Sequence, residues 1–418
     1  MTNKTRLFKK SLLAVTITLA SSQAMAAGFQ INAQSATGIG RAFAGDAVIA
    51  DNASVMARNP AAMALFDETA FSIGFESITS MIEVKDAQYC GAACTATGGL
   101  VPADNASYDD AGDTSIAPNI HLIVPINEKF AVGVNAYSNF GTKTEFSDGY
   151  AGKEFGGLTD VKSVNIGVAG SYRMNEQWSF GAGLDLIYGK GELTRPSPLG
   201  AGNALEADAD GWAIGFNLGT VYELDENNRF GFAYHYTPEL EAEGDINYLG
   251  QTSDTLYIPL PDIAEFSGFH KIENTKFAVH YSVQWIGWSD FDVLKADDIG
   301  VLNNYEWQDG WHYSIGGTYY LNRDWTLRAG YMYDTSAQDQ VTSVSVPDSD
   351  RQWFSTGFTY HITEKSNIDF GFTYLLGQDV DVAENTENPL SPGSDLTSLT
   401  ATTHADAILV GLQYSRTF

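Results

Sequence analysis

Residues 178–188 read Trp-Ser-Phe-Gly-Ala-Gly-Leu-Asp-Leu-Ile-Tyr, and this stretch decides the fold. Trp178, Phe180, Ala182, Leu184, Leu186 and Tyr188 recur at every second position, which places them on one face of an extended strand. Asp185 falls on the opposite face. A soluble β-sandwich turns its apolar face inward and its polar face to water. Here the apolar face is long and aromatic, as suits lipid, and the same pattern recurs along the chain. Asn165, Ser171, Asn217, Gln284, Ser314 and Asp369 join Asp185 on the face opposite the Phe, Trp, Tyr, Leu, Val and Ile.

Working outward, residues 174–177 form a short turn back to a strand carrying Val164, Ile166, Val168 and Tyr172. Further turns at residues 127–129, 225–228, 322–324 and 363–366 each join two alternating runs. Between these pairs lie long polar segments. The apolar positions Phe71, Ile73 and Phe75 begin the first strand, and Ile408, Val410, Leu412, Tyr414 and Phe418 end the last. One strand is poorly marked: residues 256–269 contain Pro259 and Pro261, which a ladder tolerates badly. The count is fourteen. An even number of strands, with both chain ends on the side of the tight turns, predicts an all-β, 14-stranded antiparallel transmembrane β-barrel of the bacterial outer membrane. Trp178, Tyr222, Trp325 and Phe418 suit its interfacial girdles.

The pattern begins at Thr69, and the segment before it is different. Residues 27–68, AGFQINAQSATGIGRAFAGDAVIADNASVMARNPAAMALFDE, are Ala-rich, broken by Gly38, Gly40 and Gly45, and lack alternation. The domain reading is therefore a plug over 27–68 inside a barrel over 69–418. Near its end Asn59, Pro60 and Ala61 have the logic of a helix start, with Asn59 as N-cap and Pro60 where its missing N–H costs nothing. Residues 1–26 hold Lys4, Arg6, Lys9 and Lys10, a short apolar run and Ala24-Met25-Ala26, the layout of a secretory signal peptide. Removing those four basic residues from the 23 Lys and Arg leaves 19 against 52 Asp and Glu. Such acidity argues against nucleic acid as a partner. Cys90 and Cys94 are the two cysteines and, in an exported chain, read as a local disulfide.

The AGFQ start at Ala27, the run GIGRAFAGDAVIADNA, the Asn59-Pro60-Ala61 triplet and a strand about ten residues later resemble the outer-membrane long-chain fatty acid transporter (FadL) family, which includes hydrocarbon transporters. The resemblance implies passive uptake of long-chain fatty acids or similar hydrophobic molecules, with plug movement around Phe29. It implies lateral release through the barrel wall at Asn139, Phe140 and Gly141, where a glycine also suits a bend. It places the carboxylate-binding arginine at Arg195, in LTRPSP, and a basic partner near Gln308, where this sequence departs from the pattern. Outer-membrane lipid and lipopolysaccharide, the barrel assembly machinery and a monomeric state are further implications. No cofactor is implied.

No catalytic or metal site is visible. Gly38, Gly40 and Gly45 have the wrong spacing for a dinucleotide loop, the seven histidines are scattered, and no serine lies in a nucleophile elbow. The expectation is a non-enzyme. Neutral or aromatic hydrocarbons are the alternative substrates, and a general porin or structural surface protein is the alternative of another class. On parity Arg195 faces the lumen. The loop over 194–208 is read as short, with Leu199 and Leu205 as weak candidates for a capture groove.

Overall fold

The computed structural model describes residues 28–200 and 202–418; the expected signal peptide lies outside them. Fourteen strands form the wall. They are β1 (Ala70–Cys90), β2 (Thr114–Pro125), β3 (Phe130–Tyr137, resuming over Gly141–Glu145), β4 (Leu158–Arg173) and β5 (Trp178–Pro196). Next come β6 (Asn203–Glu223), β7 (Asn228–Tyr236), β8 (Ile263–Lys271), β9 (Phe277–Ile286) and β10 (Gly310–Tyr320). The last are β11 (Trp325–Asp334), β12 (Arg351–Thr363), β13 (Ser366–Leu376) and β14 (Asp395–Thr417). Each pairs antiparallel with the next, and β14 returns to β1 with Ala70 opposite Thr417. Closure leaves no open edge, so the ladders satisfy the backbone inside a medium that offers it no hydrogen bonds.

The seven polar positions read as inward are all buried, whereas outward side chains such as Leu184, Ile214 and Phe266 are exposed. At the tight-turn end, aromatic pairs ring the barrel: Trp178 lies 4.6 Å from Tyr222, Phe277 4.6 Å from Tyr319 and Trp325 4.9 Å from Tyr360. No helix among the described residues is long and apolar enough to cross a membrane. Strands do the crossing.

Two readings are corrected beyond the wall. The doubtful strand at 256–269 is two elements: Gln251–Ile258 pairs with Leu240–Tyr248 outside the wall, the chain bends at Pro259 and Pro261, and β8 begins at Ile263. The prolines fall where no ladder needs their N–H. The segment after β5 is also not a loop over 194–208. β5 and β6 rise as a paired hairpin up to Pro196 opposite Asn203, so Leu205 is buried, and Leu199 beyond that pair is exposed.

Residues 28–66 occupy the lumen. They form a short helix α1 (Ala36–Ile39) and two 3-10 turns, Ala53–Ala57 and Pro60–Leu65. Asn59 caps the second turn by accepting from the Ala61 N–H at 3.0 Å, and Pro60 opens it. Asn59 Nδ2 then donates to the carbonyls of Ala47 at 2.7 Å and Thr220 at 3.1 Å, which joins the plug to β6. Close approach is possible because the wall offers glycines there: a Cβ at Gly219 would overlap Asn59, and one at Gly181 the backbone of Ala61. Ion pairs complete the docking. Arg41 meets Asp46 at 2.8 Å and Asp51 at 2.9 Å, and Arg328 of β11 reaches Asp51 at 3.1 Å.

Candidate functional site

The described chain enters the lumen at Gly28, whose φ of 62° and missing side chain are both required. A Cβ there would sit 2.6 Å from Trp288 and from Trp307. The Gly28 N–H donates to Asp348 at 3.3 Å, and Arg351 holds that carboxylate at 2.8 Å. Phe29 follows, almost fully buried. Its ring centroid is 4.5 Å from Trp288, 5.3 Å from Phe291, 5.7 Å from Trp307 and 6.4 Å from Phe140. Phe29 also lines a pocket with Leu193, Leu256, Ile258, Leu294 and Val346. The free volume there is about 30 Å3, room for water-sized spheres and far short of an alkyl chain. Phe29 thus fills the centre of an aromatic cluster.

Beside this pocket the wall is interrupted. β3 stops at Tyr137, opposite Asn165 of β4, and resumes at Gly141, opposite Lys162. Four steps on one strand face three on the other, so one residue is in excess and β3 bulges, while Ser163 N of β4 still donates to Phe140 O at 3.0 Å. The β2–β3 ladder already ends at Ile120 and Ala136. Pro118, two residues further along β2, has no N–H to extend it. The plug's first residues take the vacated edge: Ile31 N donates to Asn139 O at 2.8 Å, and Gly141 N donates to Phe29 O at 2.8 Å. Gln30 and Phe140 form the bridge between these bonds. The structure therefore brings together Phe29, Asn139, Phe140 and Gly141.

Arg195 lies at the rim and faces inward, as its parity requires. Its guanidinium donates to Leu158 O at 2.6 Å, Thr194 O at 3.0 Å and Thr159 Oγ1 at 2.7 Å, and Thr159 lines the pocket. It forms no ion pair among the described residues. Nearby, burial pushes the Glu384 carboxyl up to about 7 despite backbone and hydroxyl donors from Val344 and Ser343. Gln308 is a correction. It is exposed and donates to Ser336 O at 3.3 Å, because Tyr305 and Trp307 take the inward positions of that segment. Gln308 and Arg195 do not share the pocket. Far from it, a disulfide joins Cys90 and Cys94.

Sequence reasoning missed most of the pocket wall. Phe291, Tyr305 and Trp307 of the lining, and Trp288 behind Phe29, lie between β9 and β10, in segments without alternation, and only their density of aromatics marks them. It also missed an inward-folded segment between β11 and β12, where Ala337, Val344, Val346 and Asp348 are buried.

A closed barrel with an apolar outer face, an occupied lumen and an apolar pocket beside a wall break defines a plugged outer-membrane channel. The model of the outer membrane protein transport protein family (OMPP1/FadL/TodX) matches residues 17–418, and the chain belongs to that family. It is 35% identical over 433 residues to the long-chain fatty acid transport protein of Escherichia coli O6:H1, covering 92% of this chain and 94% of that one. It is 32% identical over 458 residues to outer membrane protein P1 of Haemophilus influenzae strain Rd, covering 98% and 99%. Among solved structures, a Pseudomonas aeruginosa FadL homologue superposes with TM-score 0.81 at 22% identity, covering 93% of this chain and 99% of that one. The Pseudomonas putida toluene transporter TodX does so with TM-score 0.63 at 18% identity, covering 88% and 94%. These structures share the fold. The protein is an outer-membrane protein, and the family is one of transport proteins rather than enzymes.

Proposed function

We infer that this protein takes up long-chain fatty acids, or molecules with a similar apolar body, and releases them sideways through the wall at Asn139–Gly141. The observation that carries this is the pair of backbone hydrogen bonds joining Phe29 and Ile31 to Gly141 and Asn139. An apolar chain can enter the pocket only where Phe29 now sits. Withdrawing Phe29 breaks both bonds, because they belong to the same three residues. Filling the pocket and uncovering the wall break are then one event, and the ligand leaves along the path it has opened.

In this reading Arg195 receives the acid's carboxylate at the rim, where a planar guanidinium offers paired donors. The second reading, an uncharged hydrocarbon, is favoured by the pocket lining, which carries no charged side chain. Residues 27–68 act as the plug and 69–418 as the barrel after loss of a signal peptide. Phe418, exposed at the turn side, serves recognition by the assembly machinery. Lipopolysaccharide surrounds the outer rim, and one chain suffices, since β14 closes on β1 without a second copy.

The test is a reversible lock on the bridge. In the Gln30→Cys/Phe140→Cys variant, the oxidised protein should fail to deliver palmitate into vesicles, and reduction that restores these thiols should restore delivery. Equal uptake in both states would show that Phe29–Ile31 do not gate the break.

A further inference from the structure

Two polar atoms in the aromatic cluster around Phe29 are unaccounted for. The indole N–H groups of Trp288 and Trp307 are both buried, and neither meets an acceptor among the described residues. A buried tryptophan N–H ordinarily finds a partner, and elsewhere in this chain it does: Trp285 donates to Asp309 at 2.8 Å and Trp353 to Asp334 at 3.4 Å. The two unpartnered indoles stand at 75° to each other with centroids 5.0 Å apart. Both pack on Phe29, and Trp307 also lines the pocket. Trp288 turns its N–H edge toward the first plug residues, since Cε2 and Cζ2, on the Nε1 side of the ring, would lie 2.6 and 2.8 Å from a Cβ on Gly28. The ring faces of Phe29 and Phe291 offer such a donor only a weak acceptor.

We propose that Trp288 and Trp307 are the polar contacts of this pocket: once Phe29 withdraws, their indole N–H groups donate to an oxygen of the ligand, so the pocket selects an oxygen-bearing chain over a plain hydrocarbon. This role rests on the uptake reading above and narrows its substrate class to long-chain acids, alcohols and esters. In the closed state both N–H groups are desolvated without compensation, a cost the fold carries. A ligand oxygen removes that cost as the ligand takes the place of Phe29, whereas a hydrocarbon leaves both donors as they are. Small-molecule pockets are apolar with a few polar groups that fix orientation, and these two donors fit that pattern. Their part differs from that of Arg195. A guanidinium at the rim reads the charge of a carboxylate, while an indole N–H donates to any oxygen, charged or not. An alcohol therefore keeps the indole contact and loses only the charged one.

The test removes the N–H and keeps the ring. Trp288 and Trp307 are replaced, one at a time, by benzothienylalanine, in which sulfur stands where the N–H was, and affinities for palmitate, hexadecanol and hexadecane are measured in mild detergent. Palmitate and hexadecanol should each bind to either variant on the order of tenfold more weakly than to wild type, the worth of one hydrogen bond. Hexadecane should bind as it does to wild type. Equal losses for all three, or no loss for the two oxygen-bearing ligands, would make the indoles packing alone and overturn the selection, while leaving uptake of apolar molecules standing. Wild-type protein that binds none of the three would overturn the uptake reading beneath it. A second measurement needs no variant: in nuclear magnetic resonance spectra of the full chain, a pair of indole N–H proton signals should move downfield with palmitate and with hexadecanol but not with hexadecane. Indole signals that respond alike to the hydrocarbon would overturn the proposal.

Discussion

Arg195 anchors three backbone and hydroxyl oxygens of β4 and β5 before any ligand arrives, so its role divides into a structural part and a ligand part. The two parts have different signatures. If the guanidinium also receives a carboxylate, Arg195→Ala should weaken palmitate binding by on the order of 1–3 kcal/mol, the usual worth of a hydrogen bond to a charged group. The matching alcohol should lose much less, since it brings no charge. Calorimetry with acid and alcohol on wild type and variant distinguishes them, and equal losses would leave Arg195 a purely structural residue. Gln308→Lys belongs to the same experiment. An added cation at an exposed position whose neighbour points into the pocket should change acid affinity by no more than about 0.5 kcal/mol. Parity was enough to place Arg195, because β5 continues unbroken to that position. It was not available for Gln308, which lies outside any strand of the wall.

The break in β3 is a defect of one residue, and that makes it reversible by design. Tyr137 and Gly141 are four steps apart while their partners Asn165 and Lys162 are three apart. The outward parity changes accordingly, from even positions before the break to odd positions after it. Deleting Asn139 should remove the bulge in β3 and with it the carbonyl that accepts from Ile31, so that Phe29–Ile31 lose their register on the edge facing β2. The expected result is a folded barrel that no longer delivers palmitate, measured in vesicles, with the heat-resistant compact form retained on electrophoresis. Retained delivery would mean that the ligand leaves by another route. Gly141 marks this site in the sequence only as one glycine among 41. Pro118 is the better clue in retrospect, since a proline within β2 needs a neighbour that asks nothing of its N–H. The strands outside the wall were illegible for a different reason: Leu240–Tyr248, Val293–Ala296, Gly300–Asn304 and Val380–Glu387 bury one row of small or aliphatic side chains inward and turn the other to water, so the outward apolar row imposed by lipid is absent.

At the scale of the whole molecule the lumen is closed twice, by residues 28–66 and by the inward segment between β11 and β12. The wall strands were readable because lipid imposes one period on every crossing, and the plug because it breaks that period. The pocket was not, since Phe29, Phe140, Trp288, Phe291 and Trp307 meet from four separate regions of the chain. Deleting residues 27–65 tests whether the barrel needs its plug. Every ladder of the wall begins at Ala70 or later, so all of them survive the deletion. Arg328 and Glu265 lose their plug partners, yet a vacated lumen fills with water, which solvates them at little cost. Glycines such as Gly219 then face water instead of plug backbone. The barrel should fold and conduct ions in planar bilayers more than the intact protein. Conductance should nonetheless stay below that of a barrel that also lacks the inward segment, because Val344, Val346 and Asp348 still cross part of the lumen. An unfolded product, or currents no larger than those of the intact chain, would show that the plug is part of the fold or that the inward segment alone seals it.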